Sequence, residues 1–262
     1  MMASNRSLLA VLLLFCVGLT PVYADTDRGL EIAKTMRERD RGFGDFTADM
    51  EMALIDTGGK ETLRRLRVRT LEVTDDGDKS LAIFDAPADV KGTAFLSHTN
   101  IQQADDQWLY LPSLKRVKRI APANKTAPFM GSEFSYEDLA SPEVEKYTYK
   151  YVGEGAADRQ PSYLLERYPL DQNSGYSRQL VWVDQERYVA LKIEYYDRKG
   201  AKRKTLVSHG FKQYLNRYWR PAEMQMENHQ SGKRSILRWA NYQFRQNLSA
   251  QDFHPSSLTR MR

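Results

Sequence analysis

The chain has 262 residues, 41% of them hydrophobic, a formal charge of +5 and one cysteine. A single cysteine excludes a disulfide framework and a cysteine-built metal site, and so modest a positive charge argues against a nucleic-acid partner. The length admits one β-rich domain with a sizeable core.

Arg6 supplies a positive start, Leu8 to Leu19 form an unbroken apolar run, and Val22-Tyr23-Ala24 places small residues three positions and one position before a cut. This is the grammar of a secretory signal peptide over residues 1–24, cleaved between Ala24 and Asp25. The run is about a dozen residues, short of the ~20 that a membrane-spanning helix needs. Cys16 lies inside it, preceded by Phe15 and not by the small residue that lipid modification requires. The mature protein, residues 25–262, is therefore expected in the periplasm, without cysteine and as a single domain.

From Thr26 to Arg39 the pattern is that of one amphipathic helix, with Leu30, Ile32, Ala33, Thr35 and Met36 toward one side and Asp25 or Thr26 available as a cap. Beyond Gly42 the period changes to two. Phe46, Ala48, Met50, Met52 and Leu54 alternate with Thr47, Asp49 and Glu51; Leu66 and Val68 then alternate with Arg65, Arg67 and Arg69. Strand patterns follow from Leu81 and near 93–98, 106–111, 115–120, 145–153, 162–168, 177–184, 188–197, 202–214, 217–227 and 233–244, with turn residues such as Asp197-Arg198-Lys199-Gly200 between them. Strands so closely spaced predict an antiparallel meander. Between 121 and 142 the pattern stops: Pro122, Pro128 and Pro142 bracket Phe129, Met130, Phe134, Tyr136 and Leu139. An irregular stretch this long that carries large apolar groups reads as a lid packed back on the sheet. The expected fold is mostly β, with some helix: a strongly curved antiparallel sheet forming an open half-barrel, with the helix and the lid in or over its concave face.

Three motifs occur in order: Pro87-Ala88-Asp89-Val90-Lys91-Gly92-Thr93-Ala94-Phe95-Leu96; Asp106-Gln107-Trp108-Leu109-Tyr110-Leu111-Pro112, leading into Lys115-Arg116-Val117-Lys118-Arg119-Ile120; and Gly131-Ser132-Glu133-Phe134-Ser135-Tyr136-Glu137-Asp138-Leu139. Together they resemble the outer-membrane lipoprotein-sorting protein family, whose members are LolA-like periplasmic carriers. The resemblance implies an open half-barrel of the LolA/LolB kind that handles lipids or other hydrophobic cargo, lipoprotein acyl chains among them, beside an inner-membrane RND-type exporter.

The predicted cavity wall is made of Phe46, Met50, Met52, Leu66, Val68, Trp108, Trp182 and Met224, with Phe129, Met130, Phe134, Tyr136 and Leu139 as a lid that either moves aside as cargo enters or stays as a static cover. Methionines at alternating positions suit a surface that accepts varied shapes, and they equally suit core gap-filling. The basic runs Arg64-Arg65-Arg67-Arg69, Lys115-Arg116-Lys118-Arg119 and Lys202-Arg203-Lys204 read as wet strand faces; they also suit transient contact with an anionic membrane surface. Glu133, Glu137 and Asp138 read as companions of a helical turn and not as an acid-base pair. His98, His209, His229 and His254 lack ligand spacing, and no short catalytic signature is present, so neither a cofactor nor an enzymatic activity is expected. The competing class is a non-catalytic docking or sensing module for a transporter or an envelope-stress partner, its concavity filled by its own side chains.

Overall fold

A computed structural model describes residues 22–260 of the chain. The expected leader, Cys16 included, lies outside them apart from residues 22–24, which open the helix. Helix α1 spans Val22–Asp40, with Asp25 in its first turn and Arg37 and Arg39 in its last, the charge order that a helix dipole favours.

Fifteen strands follow among the described residues: β1 (Asp45–Ile55), β2 (Glu61–Leu71), β3 (Lys79–Ala86), β4 (Ala94–His98), β5 (Asp106–Leu111), β6 (Arg116–Ile120), β7 (Tyr147–Ala157), β8 (Gln160–Pro169), β9 (Tyr176–Asp184), β10 (Ala190–Asp197), β11 (Lys202–His209), β12 (Lys212–Tyr214), β13 (Tyr218–Arg220), β14 (Glu223–Asn228) and β15 (Arg234–Phe244). Thirteen form one open antiparallel sheet in the order β6-β5-β4-β3-β2-β1-β15-β14-β11-β10-β9-β8-β7, and β12 and β13 form a separate hairpin.

The meander is interrupted once. The chain runs outward from β1 to the edge at β6, crosses by residues 121–146 to the opposite edge at β7, and winds back until β15 pairs with β1. Two stretches expected as single long strands, 202–214 and 217–227, are each broken to make the hairpin. Gly210, at φ +63°, turns the first, and a Cβ there would sit 3.0 Å from that of Ala222; Pro221, with no amide to donate, breaks the second.

Both sheet edges are protected. On β6, Arg116, Lys118 and Arg119 are exposed, and charge of this kind deters edge-to-edge pairing. The other edge is covered, because α1 packs along β7. Gly29 permits that approach: a Cβ at this position would lie 2.9 Å from the backbone nitrogen of Tyr151.

The main core lies on the inner face, where Met50, Met52, Leu66, Val68, Phe84, Phe95, Leu165, Val181 and Leu206 meet Ile32 and Ala33 of α1 and Phe129 and Phe134 of the crossing segment. A second core lies on the outer face of β3 to β6, where Leu81, Ile83, Ala94 and Leu96 are covered by Phe253 and Leu258 from the C-terminal 3₁₀ turns. The third is an aromatic cluster of Phe43, Phe46, Tyr218, Trp239, Tyr242 and Phe244 under the hairpin.

Candidate functional site

The inner face is not filled. A cavity of about 860 Å³ remains between the two arms of the sheet, near the top of the ~300–1,000 Å³ range of small-molecule sites. Its walls come from both arms: Met50, Val68, Ala82 and Phe95 from β1 to β4, and Leu165, Val181, Ile193, Leu206, Met224 and Leu237 from β8 to β15. Period-two alternation sets this up, since Met50 pairs with Leu66, Ala48 with Val68, and Ala82 with Phe95, all turned the same way.

Of the residues predicted for the wall, Phe46, Met50, Val68 and Met224 line the cavity. Met52 and Leu66 share their face but sit fully packed in the main core, at 0% and 2% exposure. Trp108 and Trp182 are corrections. On β5, Leu109 turns inward opposite Phe95, so Trp108 stands outside opposite Leu96, beneath the C-terminal turns and edge-on to His98. On β9, Val181 and Val183 turn inward, and Trp182 lies outside with the Lys192 ammonium 4.1 Å from its ring centre. Neither tryptophan faces the cavity.

The crossing segment supplies Phe129, Phe134 and Leu139 to the cavity wall, while Met130 and Tyr136 pack against the core beside it. Helix α1 adds Ala33, Met36 and Arg37; the hairpin side adds Trp219 and Arg220, and β15 adds Trp239. The exposed lining residues Glu38, Arg39, Gln213, Asn216 and Arg217 mark a mouth between the end of α1 and the hairpin, where Arg217 Nη2 donates to the Glu38 carbonyl at 3.0 Å.

The architecture has close counterparts. A family model described as that of an uncharacterized protein matches residues 76–260. A solved outer membrane lipoprotein-sorting protein domain from Vibrio parahaemolyticus is 50% identical, with a TM-score of 0.88 over 89% of this chain and 99% of its own. The chain belongs to the outer membrane lipoprotein-sorting protein family. A DUF1329 family protein from Desulfovibrio piger is 31% identical, with a TM-score of 0.84 over 89% of this chain and 99% of its own. A LolA superfamily protein from Nitrosomonas europaea shares the fold at 23% identity and a TM-score of 0.68, covering 88% of this chain and 97% of its own. None of the curated proteins matches the sequence.

The acidic residues of the crossing segment are bolts. Lys204, expected on a wet face, is buried, and its ammonium bonds Asp138 Oδ2 at 2.6 Å and the Glu133 carbonyl at 3.1 Å. Asp138 also accepts from Tyr176 Oη at 2.7 Å, Glu133 Oε2 accepts from Asn228 Nδ2 at 2.6 Å, and Glu137 Oε2 accepts from the Gly175 amide at 3.0 Å. Burial pushes the Glu137 carboxyl and the Tyr176 hydroxyl up. Arg64 donates to the Met130 carbonyl, and Gln107 Nε2 to that of Tyr136 at 3.0 Å. Removing one partner of a buried pair such as Lys204–Asp138 strands a charge, at a cost of roughly 3–5 kcal/mol. Residues 129–139 are thus tied to both arms of the sheet and form a fixed side of the cavity.

No group of three or more His, Cys, Asp or Glu side chains suited to a metal ion occurs among the described residues. Titratable groups do enter the wall: Arg37 and Asp78 line it, with Glu143 behind them.

Proposed function

We propose that this protein is a periplasmic carrier that shelters the apolar part of a lipophilic ligand in the cavity between the arms of its sheet, and that it acts by binding and not by catalysis. One observation carries the reading: an apolar cavity of about 860 Å³ that the chain's own side chains leave open. Leaving a lipid chain in water costs about 0.8 kcal/mol per methylene, so a fourteen-carbon chain costs on the order of 10 kcal/mol and repays enclosure. The 50% identical relative named for lipoprotein sorting supports the same direction. The docking-module reading requires a self-filled concavity, and the open volume weighs against it.

Cargo enters at the mouth between α1 and the hairpin, because the contacts across it, such as Arg217 to the Glu38 carbonyl and Arg220 to Asp40, lie at or near the surface, whereas segment 129–139 is held from both sides by buried ones. An RND-type exporter as donor or acceptor, and brief contact with a membrane surface, belong to the same proposal. Native mass spectrometry of the protein purified from a Gram-negative periplasm, with extraction of what it releases, tests it. A stoichiometric lipophilic adduct is expected. Clean apoprotein that also refuses the hydrocarbon probe diphenylhexatriene overturns the carrier reading in favour of docking.

A further inference from the structure

Within the carrier reading, on which this inference rests, one part of the cavity wall says what kind of head the cargo bears. Where α1, the start of β3 and the end of the crossing segment meet, Arg37 Nη2 lies 3.1 Å from Glu143 Oε2 and Nη1 lies 3.7 Å from Asp78 Oδ2. The three side chains are 14%, 1% and 7% exposed. Yet Asp78 Oδ1, both oxygens of Glu143 and Arg37 Nε make no hydrogen bond among the described residues. Arg37 and Asp78 face the cavity, as do Ser141, Pro142 and Val144 around Glu143.

A cluster whose only task was to pin the helix to the sheet would use up its bonding capacity, because buried polar atoms are nearly always satisfied. This one keeps more acceptor than donor capacity in reserve: Asp78 Oδ1 and Glu143 Oε1 lack even an ion pair, against the single free donor Arg37 Nε. Its charge balance is also uneven, with two carboxylates to one guanidinium. The charged groups around it deepen the excess: Glu72 and Asp40 act on Asp78, and Glu145 acts on Glu143 with Lys146 opposing. Asp40 is taken by Arg220, and Lys146 by Asp105. The one further donor acting on Asp78 is the Val73 amide. Burial accordingly pushes Asp78 up to about 6 and Glu143 up to about 7.

We propose that the polar head of the cargo docks against Asp78 on the cavity wall, with Glu143 directly behind it, and that it is a hydrogen-bond donor, a hydroxyl or an ammonium group, and not a phosphate or a carboxylate. A donor head supplies what Asp78 Oδ1 and Glu143 lack, while the apolar chain runs on past Met50, Phe95 and Leu206. An anionic head would bring acceptors to acceptors and negative charge to an excess of it.

Three probes with one eighteen-carbon chain and different heads decide the matter: monooleoylglycerol, oleylamine and oleic acid, titrated into the mature protein at pH 8 and followed through tryptophan fluorescence, to which Trp219 and Trp239 of the cavity wall contribute, and native mass spectrometry. Monooleoylglycerol or oleylamine is expected to bind roughly tenfold more tightly than oleic acid, the worth of one good hydrogen bond to a charged group. Repeating the titrations at pH 5.5 separates the two donors, since protonating the carboxylates weakens the hold on ammonium and spares the hydroxyl. In the Asp78→Asn, Glu143→Gln double variant the preference should vanish while diphenylhexatriene still binds. Oleic acid binding as tightly as the others to the unaltered protein overturns the head assignment, and that ranking needs no variant to fold. If diphenylhexatriene and all three lipids fail to bind, the carrier reading falls and takes the head assignment with it.

Discussion

Strands β3 to β5 carry apolar side chains on both faces, and the two faces are covered in opposite ways. Outside, Leu81, Ile83, Ala94, Leu96 and Trp108 meet the C-terminal turns, and Phe253 and Leu258 are driven to 0% exposure. Inside, Ala82, Phe84, Phe95 and Leu109 meet α1 and the crossing segment, and about 860 Å³ is left over. The residue types barely differ; what differs is the fit of the cover. Close packing is the normal condition of protein interiors, and unfilled apolar space forfeits dispersion contacts. The outer face is therefore built for stability, and the inner face gives some of it up by leaving space unfilled.

The largest expected effect separates the two directly. Phe253→Ala removes a fully buried ring from the outer cover and should cost roughly 3–5 kcal/mol of stability in urea denaturation. Diphenylhexatriene affinity at temperatures where the variant is folded should stay unchanged. Equal losses of stability and binding would mean that the two faces are not independent.

Titration sharpens the contrast, because the faces bury groups of opposite sign. Asp78 and Glu143 on the inner side are raised to about 6 and about 7, chiefly by burial. The folded state therefore holds their protons more tightly than the unfolded chain does, so stability falls as pH climbs from the ordinary carboxylate range toward 7, by up to roughly 3 kcal/mol for each group. On the outer side, His98 donates from Nε2 to the Phe253 carbonyl at 2.8 Å and is pushed down by burial. Its contribution is present above the ordinary histidine range and is lost as pH falls. Stability measured between pH 4.5 and 8.5 should keep only the Asp78 share of its alkaline slope in Glu143→Gln and should lose its acid slope in His98→Gln. A wild-type curve that rises steadily to pH 8.5 would contradict the inner assignment.

How much of this was legible follows from where charge marks a wet face. On β2, Arg65, Arg67 and Arg69 set off Leu66 and Val68, so inside and outside could be told apart, and the wall residues Phe46, Met50 and Val68 followed by register through β1. On β5 and β9 both faces are apolar, and alternation says which residues share a face but not which face is inner; Trp108 and Trp182 were misplaced for that reason. The outer cover gave no signal, since Phe253 and Leu258 stand alone among polar residues. Lys204 looked like any surface lysine, because its partner Asp138 lies in a distant irregular segment. The group of Arg37, Asp78 and Glu143 draws one residue from each of three elements, a juxtaposition that only the folded chain creates.

The finest test applies one substitution to each face of neighbouring strands. Ala82 on β3 lines the cavity opposite Phe95, and Ala94 on β4 is fully buried in the outer core opposite Ile83. Ala94→Leu forces three extra carbons into a filled space and should destabilise by roughly 1–3 kcal/mol without touching ligand affinity. Ala82→Leu has room to extend, so its stability change should stay within about 1 kcal/mol while diphenylhexatriene binding weakens as the added side chain takes up cavity volume. The informative quantity is the difference between the two variants, because helix, turn and unfolded-state effects of the same exchange largely cancel in it. If Ala82→Leu destabilises as much as Ala94→Leu, the inner face is packed to its limit, and the space assigned to cargo is not there.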